Sequence, residues 1–130
     1  MKIPFPSISS TLAVWSHMYI CIKSEKKLHE FVKCQTLKPY MLSNRTIQNY
    51  CDEKPDINRN PFKRSTRIDC DKIFKTINVN YDEKLLTTYR SDICEELFFE
   101  IIKKLSESQP NIILLDEDSL VSLNLFIAFI

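Results

Sequence analysis

Hydrophobic residues recur at helical spacing through one long segment in the second half of the chain. Asp92 predicts the N-cap of this helix, because Glu95 three residues later completes a capping box. Pro110 ends the helix by forcing Gln109 out of helical geometry. One buried face is therefore expected. Its members are Ile93, Cys94, Leu97, Phe98, Ile101, Ile102 and Leu105.

A short apolar run follows the proline and stops abruptly in acidic residues. Asn111 to Leu115 lacks any alternation of polar and apolar positions, which is typical of a strand covered on both faces. Asp116, Glu117 and Asp118 follow directly. In an open α/β sheet the carboxyl end of a central strand faces the crevice that binds ligands. The pattern predicts acids at such a crevice, and a solvated acidic turn is the alternative.

Shorter elements are predicted just before the long helix. Thr66 to Cys70 fits a short strand, and Asp71 to Ile77 and Tyr81 to Tyr89 fit helical segments. Together with the long helix and the apolar strand they predict a βαβ unit with two parallel strands. The expected fold class is therefore α/β.

Patterns in the first half of the chain are weaker. Thr11 to Ile22 fits either a strand or a helix, and its β-branched and aromatic residues favour the strand. Ser24 to Leu37 predicts a surface helix and Leu42 to Tyr50 a second short one. Prolines and asparagines make Cys51 to Ser65 a predicted linker. The expected organisation is a mixed α/β or helical segment (1–50), a linker (51–65), a βαβ segment (66–120) and an apolar tail, strand or helix (121–130).

Composition narrows the function classes. The chain of 130 residues contains no glycine, which excludes a glycine-rich phosphate-binding loop, because the backbone cradle of that loop requires glycines. The net charge of +1 provides no overall attraction to nucleic acid. Lys63, Arg64 and Arg67 form a small basic cluster, which predicts a solvated loop or a contact with phosphate or a partner.

Cysteines and histidines give no signal for a metal site. The five cysteines lack any C-x-x-C spacing, and the two histidines lack a ligand-spaced partner. We therefore expect no structural metal and no disulfide framework, which indicates a reducing, intracellular compartment. The apolar runs at Thr11 to Ile22 and Val121 to Ile130 are too short for a membrane span.

The order of helix, proline, apolar strand and Asp-Glu resembles the region around the Walker B motif of AAA+ ATPases. The strand ending Ile68-Asp69-Cys70 makes the peroxisome-biogenesis branch of that family the most similar one. The resemblance covers Thr66 to Leu120 and departs from the family pattern at Asp118, where a hydrophobic residue is usual. The matching residues are Glu96-Leu97-Phe98, Pro110, Ile112-Ile113, Asp116-Glu117 and Ser119-Leu120.

This resemblance implies a partial P-loop NTPase-like βαβ unit. Asp116 would hold Mg²⁺, and Glu117 would orient the water that attacks the γ-phosphate of ATP. The resemblance also implies related ATPase subunits or other proteins as partners, in the cytoplasm or at the peroxisome. Because the P-loop is missing, we expect a fragment or truncated form of the ATPase domain that is inactive alone.

An interaction protein without catalysis is the alternative. In that hypothesis the apolar helix face and the tail are core or partner-binding surface, because large apolar patches usually mark interfaces. Nucleic-acid binding through Lys63, Arg64 and Arg67 is the weakest hypothesis, since the cluster is small and the chain is close to neutral.

Overall fold

A mixed sheet, with seven strands among the described residues, forms the centre of the fold, so the chain is mixed α/β, as expected. The computed structural model describes residues 2–3, 17–43, 47–88 and 90–130. In chain order, the described elements are β1 (Lys2–Ile3), β2 (His17–Ser24), β3 (Leu28–Thr36), α1 (Tyr40–Ser43), β4 (Tyr50–Glu53), β5 (Thr66–Asp69), β6 (Lys72–Ile77), β7 (Val79–Tyr81), a 3₁₀ turn (Glu83–Leu85), α2 (Glu95–Ser106), β8 (Asn111–Leu114), α3 (Glu117–Leu123) and β9 (Ile127–Phe129).

Strand β3 lies at the centre of the sheet. One edge of β3 pairs with β2, and its other edge pairs with β6 along its first half and with β5 along its second half. Beyond these strands, β4 pairs with β5, β8 pairs with β6, and β1 pairs with β2. Only the β6–β8 pairing among these is parallel. The segments before and after the predicted linker therefore share one sheet.

Hydrophobic clusters cover both faces of this sheet. Phe31 and Val32 are neighbours on β3, yet both are fully buried and belong to different clusters, because successive side chains point to opposite faces. On one face the cluster includes α3 and a small two-stranded sheet of β7 and β9, with members Tyr19, Phe31, Phe74, Val79, Leu85, Leu115, Leu120 and Ile127. On the other it includes α2, with members Ile20, Val32, Cys34, Phe62, Ile68, Cys70, Ile73, Leu97, Ile101 and Leu105.

Helix α2 confirms the predicted amphipathic helix. It ends at Ser106, before Pro110, and its Leu97, Ile101 and Leu105 side chains are buried. Ile102 is 38% exposed, so the buried face is narrower than the predicted one.

The predicted N-cap of that helix was wrong. Helix α2 begins at Glu95, and Cys94 is its N-cap, with Sγ accepting the N–H of Leu97 at 3.4 Å. Asp92 lies outside the helix, where its carboxylate accepts a hydrogen bond from Nε of Arg90 at 2.9 Å.

Two predicted helices are strands. Ser24 to Leu37 contains β3, and Asp71 to Ile77 contains β6. Both strands lie inside the sheet with both faces covered, so neighbouring residues are buried together and the alternation typical of a half-exposed strand is missing. The apolar spacing therefore fitted a helix although no helix forms.

Other helix predictions fail in part. The segment Tyr81 to Tyr89 begins with the last residue of β7, and its one helical element among the described residues is the 3₁₀ turn; Tyr89 lies outside the described residues. The predicted helix from Leu42 to Tyr50 overlaps α1 at its first residues, residues 44–46 lie outside the described part, and Tyr50 already begins β4.

The turn from β6 to β7 takes a backbone conformation that usually needs glycine. Asn78 has φ 61°, in the left-handed region, where asparagine is the best tolerated residue after glycine. Its N–H donates to the carbonyl of Lys27 at 2.9 Å, and its carbonyl accepts from the N–H of Ile130 at 3.1 Å. In a chain without glycine, Asn78 thus supplies the tight turn.

Strand β8 is only partly as predicted. It is parallel to a neighbouring strand and follows the long helix, but that neighbour is β6 rather than the Thr66–Cys70 strand, which is β5. The prediction that β8 is covered on both faces was wrong. Ile112 is 58% and Leu114 is 61% exposed, and because they are two residues apart they lie on one face of β8, which is left uncovered. Strand β8 also lies at an edge of the described sheet.

The predicted linker and tail both hold ordered elements. Residues 51–65 include most of β4 and a loop whose Asn60 side chain is fully buried; its Oδ1 accepts the N–H of Phe62 at 3.1 Å. Residues 121–130 contain the end of α3 and β9.

The predicted strand at Thr11 to Ile22 is confirmed from His17 onwards as β2, and residues 4–16 lie outside the described part. In the described ranges, no helix has both the length and the apolar character to cross a membrane.

Candidate functional site

The two acids predicted to serve a nucleotide site lie together just after β8. Asp116 is the N-cap of α3, and Glu117 is the first residue of that helix. Oδ2 of Asp116 accepts the backbone N–H of Ser119 at 2.9 Å and its hydroxyl at 2.8 Å. These hydrogen bonds, that of the hydroxyl foremost, lower the pKa of Asp116. The Asp116 carboxylate is therefore engaged with its own helix.

The surroundings of these acids do not form a closed ligand crevice in the described part of the chain. Strand β8 pairs there with β6 alone, so its carboxyl end lies at a sheet edge rather than between two strands. Among the described residues, no group of three or more His, Cys, Asp or Glu side chains is arranged to hold a metal ion. The local geometry accounts for Asp116 as a helix cap.

A large cleft with basic walls lies elsewhere on the fold. It has a volume of about 1000 Å³ and is formed between two sets of segments. One set comprises the end of β3, α1 and the loop Pro61–Arg64; the other comprises the 3₁₀ turn with residues 86–88 and the end of α3 with residues 124–126. We call this site the basic cleft. Its volume is at the upper end of the range for small-ligand pockets.

Four cationic side chains line the basic cleft. They are Lys38, Lys63, Arg64 and Lys84, and none of the described residues that line the cleft is Asp, Glu or His. In the described part of the chain none of the four forms an ion pair, although Nζ of Lys84 lies 5.5 Å from the centre of the Phe126 ring. Ion pairs among the described residues therefore leave the positive charge of the cleft without a counter-charge.

Apolar side chains supply the rest of the cleft surface. Buried lining residues include Met41, Phe62 and Leu85. Large hydrophobic residues on the rim are exposed, and Leu125 reaches 91%. A leucine so exposed next to an apolar cleft is typical of a surface that a partner covers. The other exposed rim residues are Tyr40, Leu86 and Leu123.

One buried polar group lines the basic cleft without a complete set of partners. Asn124 is 3% exposed, and its Nδ2 donates to the carbonyl of Leu120 at 2.7 Å. Its Oδ1 finds no donor among the described residues. Buried carbonyl oxygens are usually hydrogen-bonded, so this oxygen is an acceptor available to a water or a bound group.

The basic cluster predicted from the sequence divides into two roles. Lys63 and Arg64 line the basic cleft. Arg67, in contrast, is buried, pairs with Asp52 at 2.8 Å and lies over the Tyr50 ring at 3.7 Å. Arg67 therefore stabilises the fold, and the cluster as a unit does not form a binding surface.

The remaining cleft residues were missed in the sequence. Lys38 and Lys84 are isolated in the chain, and Asn124 and Leu125 lie in an apolar tail, so no local spacing joins them to Lys63 and Arg64. Leu125, which lies between the end of α3 and the start of β9, could have indicated an exposed apolar position. That inference requires the end of the helix to be known. The site is assembled by tertiary structure.

Comparisons with known proteins add no relative. No protein-family model, no curated protein and no solved structure gives a significant match to this chain.

Proposed function

We propose that this chain is a non-enzymatic protein-interaction module whose basic cleft holds an acidic, amphipathic segment of a partner protein. The observation that carries the proposal is a cleft in which four cations form no ion pair with a described residue and no described lining residue is an acid. Complementary charge speeds association and selects partners of the opposite sign.

The apolar part of the cleft favours a partner with hydrophobic side chains. Met41, Phe62 and Leu85 provide a buried apolar floor, and Leu125 stands exposed at the rim. A segment that alternates acidic and apolar residues places its carboxylates near the four cations and its apolar side chains on this floor. Partner atoms would then cover Leu125, and this burial of apolar surface would contribute free energy to binding.

The choice of side chains also favours binding over catalysis. The described lining residues include no His, Asp or Glu, the side chains that most often act as general bases. Cys34 lines the cleft, but burial raises the pKa of its thiol to about 12, so it is protonated at neutral pH. An unreactive thiol does not support nucleophilic catalysis.

A peptide titration tests this proposal. The probe is a fluorescein-labelled peptide of alternating leucine and glutamate, with a leucine–lysine peptide of equal length as the control. We expect the acidic peptide to bind, and Lys63→Glu with Arg64→Glu to weaken binding by about tenfold or more. The matched control is Lys26→Glu with Lys27→Glu, which changes two exposed cations in the β2–β3 turn outside the cleft.

The apolar contribution has its own pair of variants. Leu125→Asn is expected to weaken peptide binding, whereas Leu114→Asn, at another exposed leucine that lies outside the cleft, leaves it unchanged. Equal effects of the cleft and control variants would contradict the proposal. If a single-stranded oligonucleotide bound more tightly than the acidic peptide, the partner of the basic cleft would be a nucleic acid and not a protein.

A second proposal keeps the resemblance to AAA+ ATPases. In it, the segment Thr66 to Leu120 descends from a P-loop NTPase-like unit and binds Mg²⁺ and ATP through Asp116 and Glu117. One observation supports it: β6, α2 and β8 form a strand–helix–strand unit with parallel strands, and the two acids follow the carboxyl end of β8.

Thermal unfolding with Mg²⁺ and ATP tests this second proposal. A rise in Tm that is lost in Asp116→Asn would support it, because asparagine keeps the helix cap but removes the charge that holds the metal. ATP is itself an anion, so Lys63→Glu with Arg64→Glu serves as the control for binding in the basic cleft. The second proposal would be contradicted if Mg²⁺ and ATP did not raise the Tm of the wild-type chain. It would also be contradicted if the rise in Tm were lost only in Lys63→Glu with Arg64→Glu.

A further inference from the structure

Two of the five cysteines lie next to each other at the edge of the sheet. In the β4–β5 pair, Cys51 is opposite Ile68, and the N–H of Cys70 donates to the carbonyl of Asn49 at 2.9 Å, which places Cys70 opposite Asn49. Cys51 and Cys70 are therefore diagonal neighbours on one face of the sheet. The face is the one covered by α2, where Cys70 is fully buried and Cys51 is partly buried.

The two thiols differ in acidity. The Cys70 thiol donates to the carbonyl of Ile68 at 3.8 Å. Interaction with that neighbouring thiol lowers the pKa of Cys51, and the charge of Lys104 lowers it further, against the opposing effects of burial and of Glu100 and Glu53. The same interaction, together with burial, raises the pKa of Cys70. A thiolate reacts with oxidants and a thiol does not, so Cys51 is the reactive member of the pair.

The other three cysteines are engaged differently. Sγ of Cys94 accepts the N–H of Leu97 as the cap of α2, and the thiol of Cys21 donates to the carbonyl of Lys23. Cys34 lies opposite Ile68 on the β3 side of β5 and is therefore also a diagonal neighbour of Cys70, but it is buried, and burial holds it as a thiol. Cys51 is partly exposed and has the lowered pKa, so among the described cysteines it is the neighbour of Cys70 that an oxidant in solution can reach.

We propose that Cys51 and Cys70 form a hydroperoxide-sensitive pair that oxidises to an intrachain disulfide. The Cys51 thiolate attacks one oxygen of hydrogen peroxide, the O–O bond breaks, and the released hydroxide takes up a proton to become water. Cys51 is then a sulfenic acid. Cys70 loses its proton and attacks Sγ of Cys51, which expels a second hydroxide that is protonated to water. In total, two thiols and one hydrogen peroxide give one disulfide and two waters.

This disulfide would join the edge strand β4 to the end of β5. It would close a ring around the loop that carries Lys63 and Arg64, so oxidation would restrict the opening of β4 from the sheet. The inference does not depend on the proposed function, because the thiols lie in the α2-side cluster and neither lines the basic cleft.

Peptide mapping tests the pair directly. The reduced full-length chain is treated with hydrogen peroxide, quenched with N-ethylmaleimide and digested with trypsin without reductant. Trypsin is expected to give residues 46–59, which contain Cys51, and residues 68–72, which contain Cys70. We expect these two peptides to be cross-linked, and the cross-link to be lost in Cys51→Ser but retained in Cys94→Ser.

A dimedone reaction covers the case in which changes at buried Cys70 perturb folding. In Cys70→Ala the sulfenic acid of Cys51 has no resolving thiol, so dimedone labelling of Cys51 should rise several-fold above the wild-type level. In Cys51→Ser, which changes the more exposed member, labelling at Cys70 should be absent. A cross-link from Cys51 to Cys34 or Cys94, a disulfide between two chains, or oxidation of Cys51 only to sulfinic acid would overturn the inference.

Discussion

Arg67 and Asp52 form a two-armed ion pair between β5 and β4. Nε and Nη2 of Arg67 donate to the two carboxylate oxygens of Asp52, each at 2.8 Å. Nη1 donates to the carbonyl of Met41 at 3.1 Å, and the guanidinium lies over the Tyr50 ring. Because Met41 lines the basic cleft, this buried arginine also fixes one wall of the proposed binding site.

Removing the carboxylate from this pair should destabilise the fold. Asp52→Ala leaves the buried guanidinium of Arg67 without a counter-charge, so we expect the free energy of unfolding to fall by about 2–4 kcal/mol. The exposed pair of Arg90 and Asp92 provides the control, and Asp92→Ala should cost about 1 kcal/mol or less. Urea denaturation followed by circular dichroism measures both values, and equal losses would contradict the structural role assigned to Arg67.

The burial of α2 gives a second prediction. Ile101 is fully buried against the sheet and Ile102 is 38% exposed, so the two neighbours differ in environment but not in chemistry. We expect Ile101→Ala to lower the free energy of unfolding by about 2–5 kcal/mol, and Ile102→Ala by about 1 kcal/mol. Chemical denaturation of both variants checks the order, and a larger loss at Ile102 would mean that the helix face is assigned incorrectly.

His29 makes stability depend on pH. Its ring stacks on Phe31 with centroids 6.2 Å apart and meets the edge of Tyr81 at 4.9 Å. Nδ1 is buried without a partner among the described residues, and burial lowers the pKa of His29 below 6.5.

The sign of the pH effect follows from that lowered pKa. As pH falls through about 6.5, the unfolded chain protonates His29 while the folded chain keeps it neutral, so stability decreases until the folded pKa is reached. His29→Phe should remove this contribution to the dependence of stability on pH. Midpoints of urea denaturation between pH 7 and pH 5 measure that dependence, and an unchanged dependence in His29→Phe would exclude His29 as its source.

The cap of α3 gives a fourth prediction. Asp116 accepts two hydrogen bonds from Ser119, so Asp116→Ala should lower the Tm more than Asp116→Asn, which keeps a capping oxygen. Asp118→Ala, in the same helical turn but not at the cap, is the control and should have the smallest effect. A larger effect of Asp118→Ala would show that helix-dipole charge, not capping, stabilises α3.

Some elements of the fold could be predicted because the residues within and next to the element were enough to identify it. Helix α2 has a regular apolar stripe and a proline beyond its end, and both survive in the structure. Strands β3 and β6 could not be distinguished from helices, because burial on both faces removes the alternation that marks a strand. Strand β8 was predicted to be central because its apolar run also lacks alternation, but its place at the edge of the described sheet depends on the strand order.

The basic cleft lay beyond sequence analysis for a different reason. Of the predicted basic cluster, only Lys63 and Arg64 line the basic cleft, because the Arg67 side chain lies instead beside Asp52 and Tyr50. The remaining cations come from separate segments that the sheet brings together. Whether a charged residue is paired or free is decided by its tertiary neighbours, which local spacing does not show.

A ¹H–¹⁵N correlation spectrum of the chain, titrated with the leucine–glutamate peptide, shows directly whether the peptide binds in the basic cleft. We expect shift changes at the amides of Arg64, Thr66, Thr87 and Asn124, which line the basic cleft, and their loss in Lys63→Glu with Arg64→Glu. Shift changes confined to β8 and the exposed face of α2, or none at saturating peptide, would contradict the claim that the basic cleft is the binding site.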